Sequence, residues 1–288
     1  MRVSVIVAVY KDVQSLSLII TALKRQTYKN FEVIIAEDGE NPQMKEYVES
    51  ITDLDVKHTT QEDIGVRKAR SQNNGIIASS GEYLIFIDGD CVPYTTFVEA
   101  HAALAKSGTV LSGRRVNLSE PLTKKIKSGV LDIIDIEKQL YKYIGLAFEK
   151  NSKYEYGIYL SPTGWLYPLL SKLRKRNTSI LGCNFSCFRK DMIALNGFDE
   201  GYGETSLSDD TDLDWRFRAY GLEIKSCKNV ANQFHLWHPY NERDIGSFYW
   251  EKMVKNQEDN RYICNDGLNT HRSYSLNIEQ IELRAMDL

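Results

Sequence analysis

Two carboxylates placed to share one ligand are the first chemical feature of this chain. Asp88-Gly89-Asp90 follows the apolar run YLIFI at residues 83–87. Two acids separated by one glycine can both turn toward a hard divalent cation without crowding, and such a cation bridges phosphate oxygens. Asp and Gly also favour turns, so a solvated turn is the simpler account of the tripeptide taken alone. Glu37-Asp38-Gly39 closes a second apolar run, FEVIIA at 31–36. An acid at such a strand end can accept from a ribose hydroxyl or a base N–H. Alone it too reads as a turn, but two acidic strand ends on one sheet edge point to a shared ligand. Arg67-Lys68-Ala69-Arg70 supplies cations that would balance a diphosphate. Arg67 and Arg70 are three apart and share a helix face, which a solvated basic surface explains equally well.

Positioning these groups requires strands that end where the acids begin. Residues 3–9 (VSVIVAV) are β-branched and nearly continuous, which suits a buried parallel strand. Residues 31–36, 56–59 and 83–87 read as further strands. Helices are expected over 13–26, with Asp12 as N-cap, and over 42–51, 66–79 and 93–106. Strands alternating with helices imply an α/β fold with a mostly parallel sheet flanked by helices, whose ligands bind beyond the carboxyl ends of the strands. A helix over 209–220, two short strands within 222–236 and a polar, helix-compatible final fifty residues complete the reading.

The 288 residues are 42% hydrophobic and 26% charged, enough for a sizeable core, which excludes collagen-like and wholly disordered classes. Net charge is −3, so the basic excess of a nucleic-acid binder is missing and no nucleic-acid partner is expected. The five cysteines form no paired CxxC motif and suit a reduced, cytoplasmic protein. The first residues lack the apolar core and cleavage site of a signal peptide, and no apolar run approaches the ~18 residues of a membrane span. Residues 120–176 interleave basic clusters (Lys124, Lys125, Lys127; Lys172, Arg174, Lys175, Arg176) with the aromatic stretch YEYGIYLSPTGWLYPLL. Cations and interfacial aromatics are the physical basis for a peripheral membrane contact at the inner face of a membrane; a loop covering an acceptor accounts for them as well.

The runs SVIVAVYKD, FEVIIAEDG and QEDIGVRKARSQNNGIIASSGEYLIFIDGDCVP resemble the nucleotide-binding half of the family 2 glycosyltransferases, which have the GT-A fold. GCNFSCFRKDMIALNGFDE, SDDTDLDWRFRAYG and FHLWHP resemble the galactosyltransferase-type C-terminal region of the same superfamily. The resemblance covers residues 3 to about 240 and implies a nucleotide-sugar-binding half at 1–110, an acceptor and catalytic half at 111–240, and a helical extension at 241–288.

The resemblance also implies site residues. Ala8, Val9 and Tyr10 would line the base pocket. Asp38, with Glu37 beside it, would hydrogen-bond uracil. Arg67 would bind the nucleotide or its diphosphate, and Arg70 or Arg67 would stand in for the arginine that many members have at the position of Gln72. Asp90 would ligate the metal, Mn²⁺ or Mg²⁺, with Gly89 between it and Asp88, itself turned toward the ribose. His235 and His238 would complete the metal site; without the resemblance they read as packed polar residues beside Trp237. Asp209-Asp210 matches the family's acidic pair, whose second member is the catalytic base. Gly182, Asn184, Asp199 and Glu200 match positions lining the sugar pocket, and Trp215 or Trp237 would stack on a sugar face.

Gln72 stands where many members have Arg, Asp209 where they have Glu, and GYGETSLS lacks a glycine next to the acids. The implied activity is inverting transfer of a hexose or N-acetylhexosamine from a UDP-sugar to a saccharide acceptor, a lipid-linked saccharide being compatible with it, in bacterial surface polysaccharide assembly. A catalytically silent nucleotide-sugar-binding protein and a nucleotidyltransferase are the alternatives; the absence of a glycine-rich phosphate loop counts against the latter.

Overall fold

The structure, a computed structural model, describes residues 1–167, 169, 178–205, 207, 210–239 and 247–271. Its centre is a seven-stranded sheet in the order β3-β2-β1-β4-β8-β6-β9. The strands are β1 (Val3–Val9), β2 (Phe31–Glu37), β3 (Val56–Thr59), β4 (Tyr83–Asp88), β6 (Thr109–Ser112), β8 (Asn184–Phe188) and β9 (Glu223–Ser226). From β3 to β4 all pairings are parallel; β8 runs antiparallel to both β4 and β6. All seven residues of β1 and of β2 are buried, as helices on both faces require.

Successive side chains alternate between the two faces. Val3, Val5 and Val7 pack with Leu16, Ile19 and Ile20 of α1 (Val13–Lys24), while Ile6 and Ile34 pack with Ile76 of α3 (Lys68–Ala78). Asp12 starts α1 by accepting from the Ser15 N–H at 2.9 Å. Asn41 starts α2 (Pro42–Glu49) by accepting from Gln43 and Met44. β1 pairs with β2 on one side and β4 on the other, so the strand order reverses between β1 and β4. The acidic end of β4 opens into the crevice at that switch point.

A second sheet of three short strands, β5 (Cys91–Pro93), β10 (Gln233–His235) and β7 (Val116–Asn117), has β10 in the middle. β5 replaces the start of the helix expected over 93–106, and α4 covers only Phe97–Leu104. Residues 120–138 hold α5 (Glu120–Lys127) and α6 (Ile133–Lys138); α7 (Arg189–Ala194), α8 (Thr211–Ala219) and α9 (Ser247–Glu258) follow. All five cysteines are buried and unpaired. Among the described residues no helix is long and apolar enough to cross a membrane.

One buried acid ties the sheet to its edge. Glu32 on β2 is fully buried and accepts from Ser4 Oγ (2.6 Å) and the Ser80 N–H (2.6 Å), and pairs with Lys57 on β3 (2.9 Å). Burial pushes its carboxyl up, but these partners outweigh burial and carry it from the ordinary 4.5 down to about 2. A depressed carboxylate contributes stability that is complete above its unfolded value and lost as pH falls through the folded one. Urea denaturation should therefore show stability falling by about 3 kcal/mol between pH 4.5 and 2 from this group alone. Glu32→Gln should remove that share of the slope; an unchanged slope would contradict the assignment.

Candidate active site

Asp90 follows the last residue of β4 by two positions, and the second sheet presses two histidines against it. β10 pairs antiparallel with β5 so that His235 lies opposite Cys91, and the Leu236 N–H donates to the Asp90 carbonyl at 2.9 Å. His235 Nε2 and His238 Nε2 each lie 3.3 Å from Asp90 Oδ2. The three ligand atoms are within 4.8 Å of one another. Burial raises the Asp90 carboxyl, but the hydrogen bonds from His235 and His238 hold it well below the usual carboxylate range. The same contact with Asp90 raises His238 above its ordinary 6.5. One carboxylate and two imidazoles on a single point fit a borderline divalent ion such as Mn²⁺ better than Mg²⁺, which prefers all-oxygen shells.

Gly89 keeps this turn against β1. A Cβ there would lie 2.9 Å from the Ala8 carbonyl oxygen and 3.1 Å from Val9 Cγ1, so a side chain would push the acids off the strand end. Ala8 and Val9 are buried beside it, while Tyr10 is half exposed, with Lys11 4.5 Å from its ring.

The cation that meets the acid pair is Lys68, in the first turn of α3, whose Nζ is 2.6 Å from Asp88 Oδ1. The family resemblance puts Arg67 and Arg70 at the nucleotide's diphosphate rather than on these acids. Instead the Arg67 guanidinium donates to the Glu62 carbonyl, and Arg70 pairs with Glu200 at 3.0 Å. Gln72 lies one turn beyond Lys68, is buried, and its amide hydrogen-bonds with no described residue. A second cation went unnoticed in the sequence. Arg115, just before β7, reaches Cys183 Sγ at 3.3 Å and Cys91 Sγ at 3.9 Å, and the charges of Asp88 and Asp90 both act on it.

The acids after β2 divide their work. Asp38 accepts from the Arg67 N–H (2.7 Å) and Gln61 Nε2 (2.6 Å), facing the start of α3. Glu37 turns away from the crevice. It is buried, accepts from the Asn41 N–H (2.9 Å) and meets His58 Nε2 at 2.8 Å, joining β2 to α2 and β3.

Asn184, expected at the sugar pocket, is fully buried in the scaffold. Its Nδ2 donates to the Arg114 and Ala231 carbonyls, and its Oδ1 faces His101, an imidazole that burial pushes down to about 3. Gly182 is buried just before β8. Asp199 accepts from the Gly201 N–H and lies 3.7 Å from Lys252 at the rim of a cavity of about 430 Å³ beside α9. Glu200 is held by Arg70, Asn73 and His271. Trp237 is partly exposed and anchored by its N–H to Thr123, whereas the Trp215 ring N–H donates to Asp212.

Asp210 is the N-cap of α8 but its carboxylate caps none of that helix's N–H groups; its Oδ1 accepts from Thr211 Oγ1 at 3.0 Å. The helix dipole favours its ionised form. Asp209 lies outside the described residues. Behind Asp210, the fully buried pair Asp212–Arg216 locks α8, with Arg216 also donating to the Leu195, Gly197 and Tyr262 carbonyls. Glu200 ties its turn to α3 through Arg70, and the Glu204 carboxylate fills the space that a side chain at Gly65 would need.

Comparison with known proteins finds a family match. Residues 4–158 match the model of glycosyl transferase family 2, and residues 170–239 match one described as the N-terminal domain of galactosyltransferase. A curated relative, glycosyltransferase AglE of Haloferax volcanii, is 31% identical over 123 residues, covering 41% of this chain and 40% of that protein. The match to validoxylamine A glucosyltransferase of Streptomyces hygroscopicus subsp. jinggangensis is 32% identical over 115 residues, 38% of this chain. It covers 27% of that protein, so this chain spans well under half of either relative. Among solved structures, Staphylococcus aureus TarS 1-349 in complex with UDP superposes with a TM-score of 0.62 at 14% identity, covering 94% of this chain and 68% of that one. That likeness shows the GT-A fold.

Proposed function

Because the chain belongs to glycosyl transferase family 2, we propose that it is an inverting, divalent-metal-dependent glycosyltransferase using a UDP-sugar. The observation that carries this reading is the convergence of Asp90, His235 and His238 beside the Lys68–Asp88 pair at the sheet's switch point. In support, TarS has been solved with UDP, and a mannosyltransferase of Pyrobaculum calidifontis with GDP-Man and Mn²⁺.

In this reading Ala8, Val9 and Asp38 meet the base, with the Asp38 carboxylate accepting from a uracil N–H. Asp90, His235 and His238 hold the cation, with Asp88 toward the ribose. When bound, the cation neutralises charge developing on the departing diphosphate. Lys68 and Arg115 add fixed positive charge on the same side. A hydroxyl of the saccharide acceptor attacks the anomeric carbon from the face opposite the diphosphate. The new carbon–oxygen bond forms as the carbon–phosphate-oxygen bond breaks, which inverts the centre. The hydroxyl proton passes to the Asp210 carboxylate, which acts as general base. The donated sugar is a hexose or N-acetylhexosamine, and surface polysaccharide assembly is the setting.

Residues 138–165 carry several exposed apolar side chains: Phe148 is 88% exposed and Trp165 80%, and Tyr141 and Ile144 are exposed too, with Lys138, Lys142, Lys150 and Lys153 in the same stretch of chain. Exposed aromatics interleaved with cations suit anionic lipid headgroups and a lipid-linked acceptor at a membrane's inner surface. The basic run 172–176 lies outside the described residues.

A donor-hydrolysis or transfer assay with Mn²⁺ should show kcat falling about 10²–10⁴-fold in Asp210→Asn while UDP affinity is kept, the range that loss of a general base costs. Full turnover in Asp210→Asn would remove its role, and UDP binding without turnover in the wild type would favour a silent binding protein. Vesicles of anionic lipid should co-sediment with the protein, less so with Phe148→Ser/Trp165→Ser; no co-sedimentation of the wild type would remove the membrane contact.

A further inference from the structure

Asp38 on the base side and Glu200 on the acceptor side are joined by three side chains, and the direction of every hydrogen bond between them can be worked out. Gln61 Nε2 donates to Asp38 Oδ1 at 2.6 Å and to the Arg67 carbonyl at 3.2 Å. A backbone carbonyl only accepts, so the Gln61 amide has one orientation. Its Oε1 therefore receives Asn74 Nδ2, at 3.2 Å. That fixes Asn74 in turn, leaving its Oδ1 facing His271 Nδ1 at 2.9 Å.

The other ring nitrogen, His271 Nε2, meets Glu200 Oε1 at 2.5 Å. Burial raises the Glu200 carboxyl, but His271, Asn73 and Arg70 together carry it below its ordinary value, so it is an ionised acceptor. Both nitrogens of the His271 ring thus face acceptors and both must carry hydrogen. The ring is 4% exposed, so water does not substitute for either partner.

We propose that His271 is a positioning residue: held as an imidazolium between Asn74 and Glu200, it imposes a one-way line of hydrogen bonds through Asn74 and Gln61 that orients Asp38 toward the nucleotide base. This rests on reading Asp38 as the base-facing acid. Without the Nδ1 hydrogen, the Asn74 amide keeps its bond to Gln61 but sets its Oδ1 against a bare ring nitrogen, which weakens the preference for its present orientation. A flip there sets the Asn74 oxygen against Gln61 Oε1, which now receives a hydrogen from Nδ2, and a Gln61 flipped to meet that oxygen would set its own Oε1 against the Asp38 carboxylate. The Arg67 N–H still holds the other Asp38 oxygen, so the effect is on affinity rather than on assembly of the site.

Two variants separate this role from packing. His271→Ala removes the source of the line. Asn74→Asp keeps shape and still accepts from His271, but sets oxygen against Gln61 Oε1. In metal-free buffer, UDP titration should give a dissociation constant raised about tenfold in both variants, the size expected for one lost polar interaction. Unfolding midpoints measured alongside report packing: lowered midpoints with unchanged UDP affinity in both variants would overturn the proposal. The imidazole ¹⁵N shifts of the ligand-free wild type should show both His271 nitrogens protonated; a neutral ring would overturn it also. A wild type that takes up no UDP even with Mn²⁺ added would defeat the donor reading, and the ¹⁵N spectrum would still decide whether the line exists.

Discussion

The site depends on one short antiparallel pairing. β5 and β10 contribute three residues each, yet their register sets His235 across from Cys91 and the Leu236 N–H on the Asp90 carbonyl. Main-chain hydrogen bonds thereby fix the separation between a carboxylate and an imidazole that come from opposite ends of the fold. β7 flanks β10 on its other side, so the strand that carries His235 is paired along both edges. Gly89 supplies the complementary restraint, since only a residue without Cβ lets the Asp88–Asp90 turn lie against the end of β1.

Charge follows from that geometry. Half-buried acids must find cations or protons, and in the crevice they find Lys68, Arg115 and two histidines. Other acids near the crevice are consumed by the scaffold: Glu37 by Asn41 and His58, and Glu200 by Arg70, Asn73 and His271. An acid's neighbours in space, rather than its position after a strand, decide whether it faces a ligand.

Much of the frame was legible from local pattern. β1 and β3 have the bounds that β-branched continuity predicts, and β2, β4, α1 and α2 differ by a few residues at their ends, where helix and strand limits are softest. What local pattern could not supply was long-range pairing. β5, β7 and β10 are two or three residues long and carry no periodicity, so His235 entered only through family resemblance. Arg67 and Arg70 looked more apt than Lys68 because guanidinium suits phosphate, but Glu62 and Glu200 claim them, and neither partner is visible from spacing. Asn184 shows the same limit: an amide beside a motif glycine looks available until burial against Arg114, Ala231 and His101 is known.

The central claim is that Asp90, His235 and His238 form one divalent-cation site. Electron paramagnetic resonance of a Mn²⁺ titration, run on the wild type and on Asp90→Asn, tests it most directly. The account predicts one bound Mn²⁺ per chain in the wild type, with UDP tightening it, and loss of that site in the variant. Equal uptake by both proteins, or none by the wild type with UDP present, would contradict it.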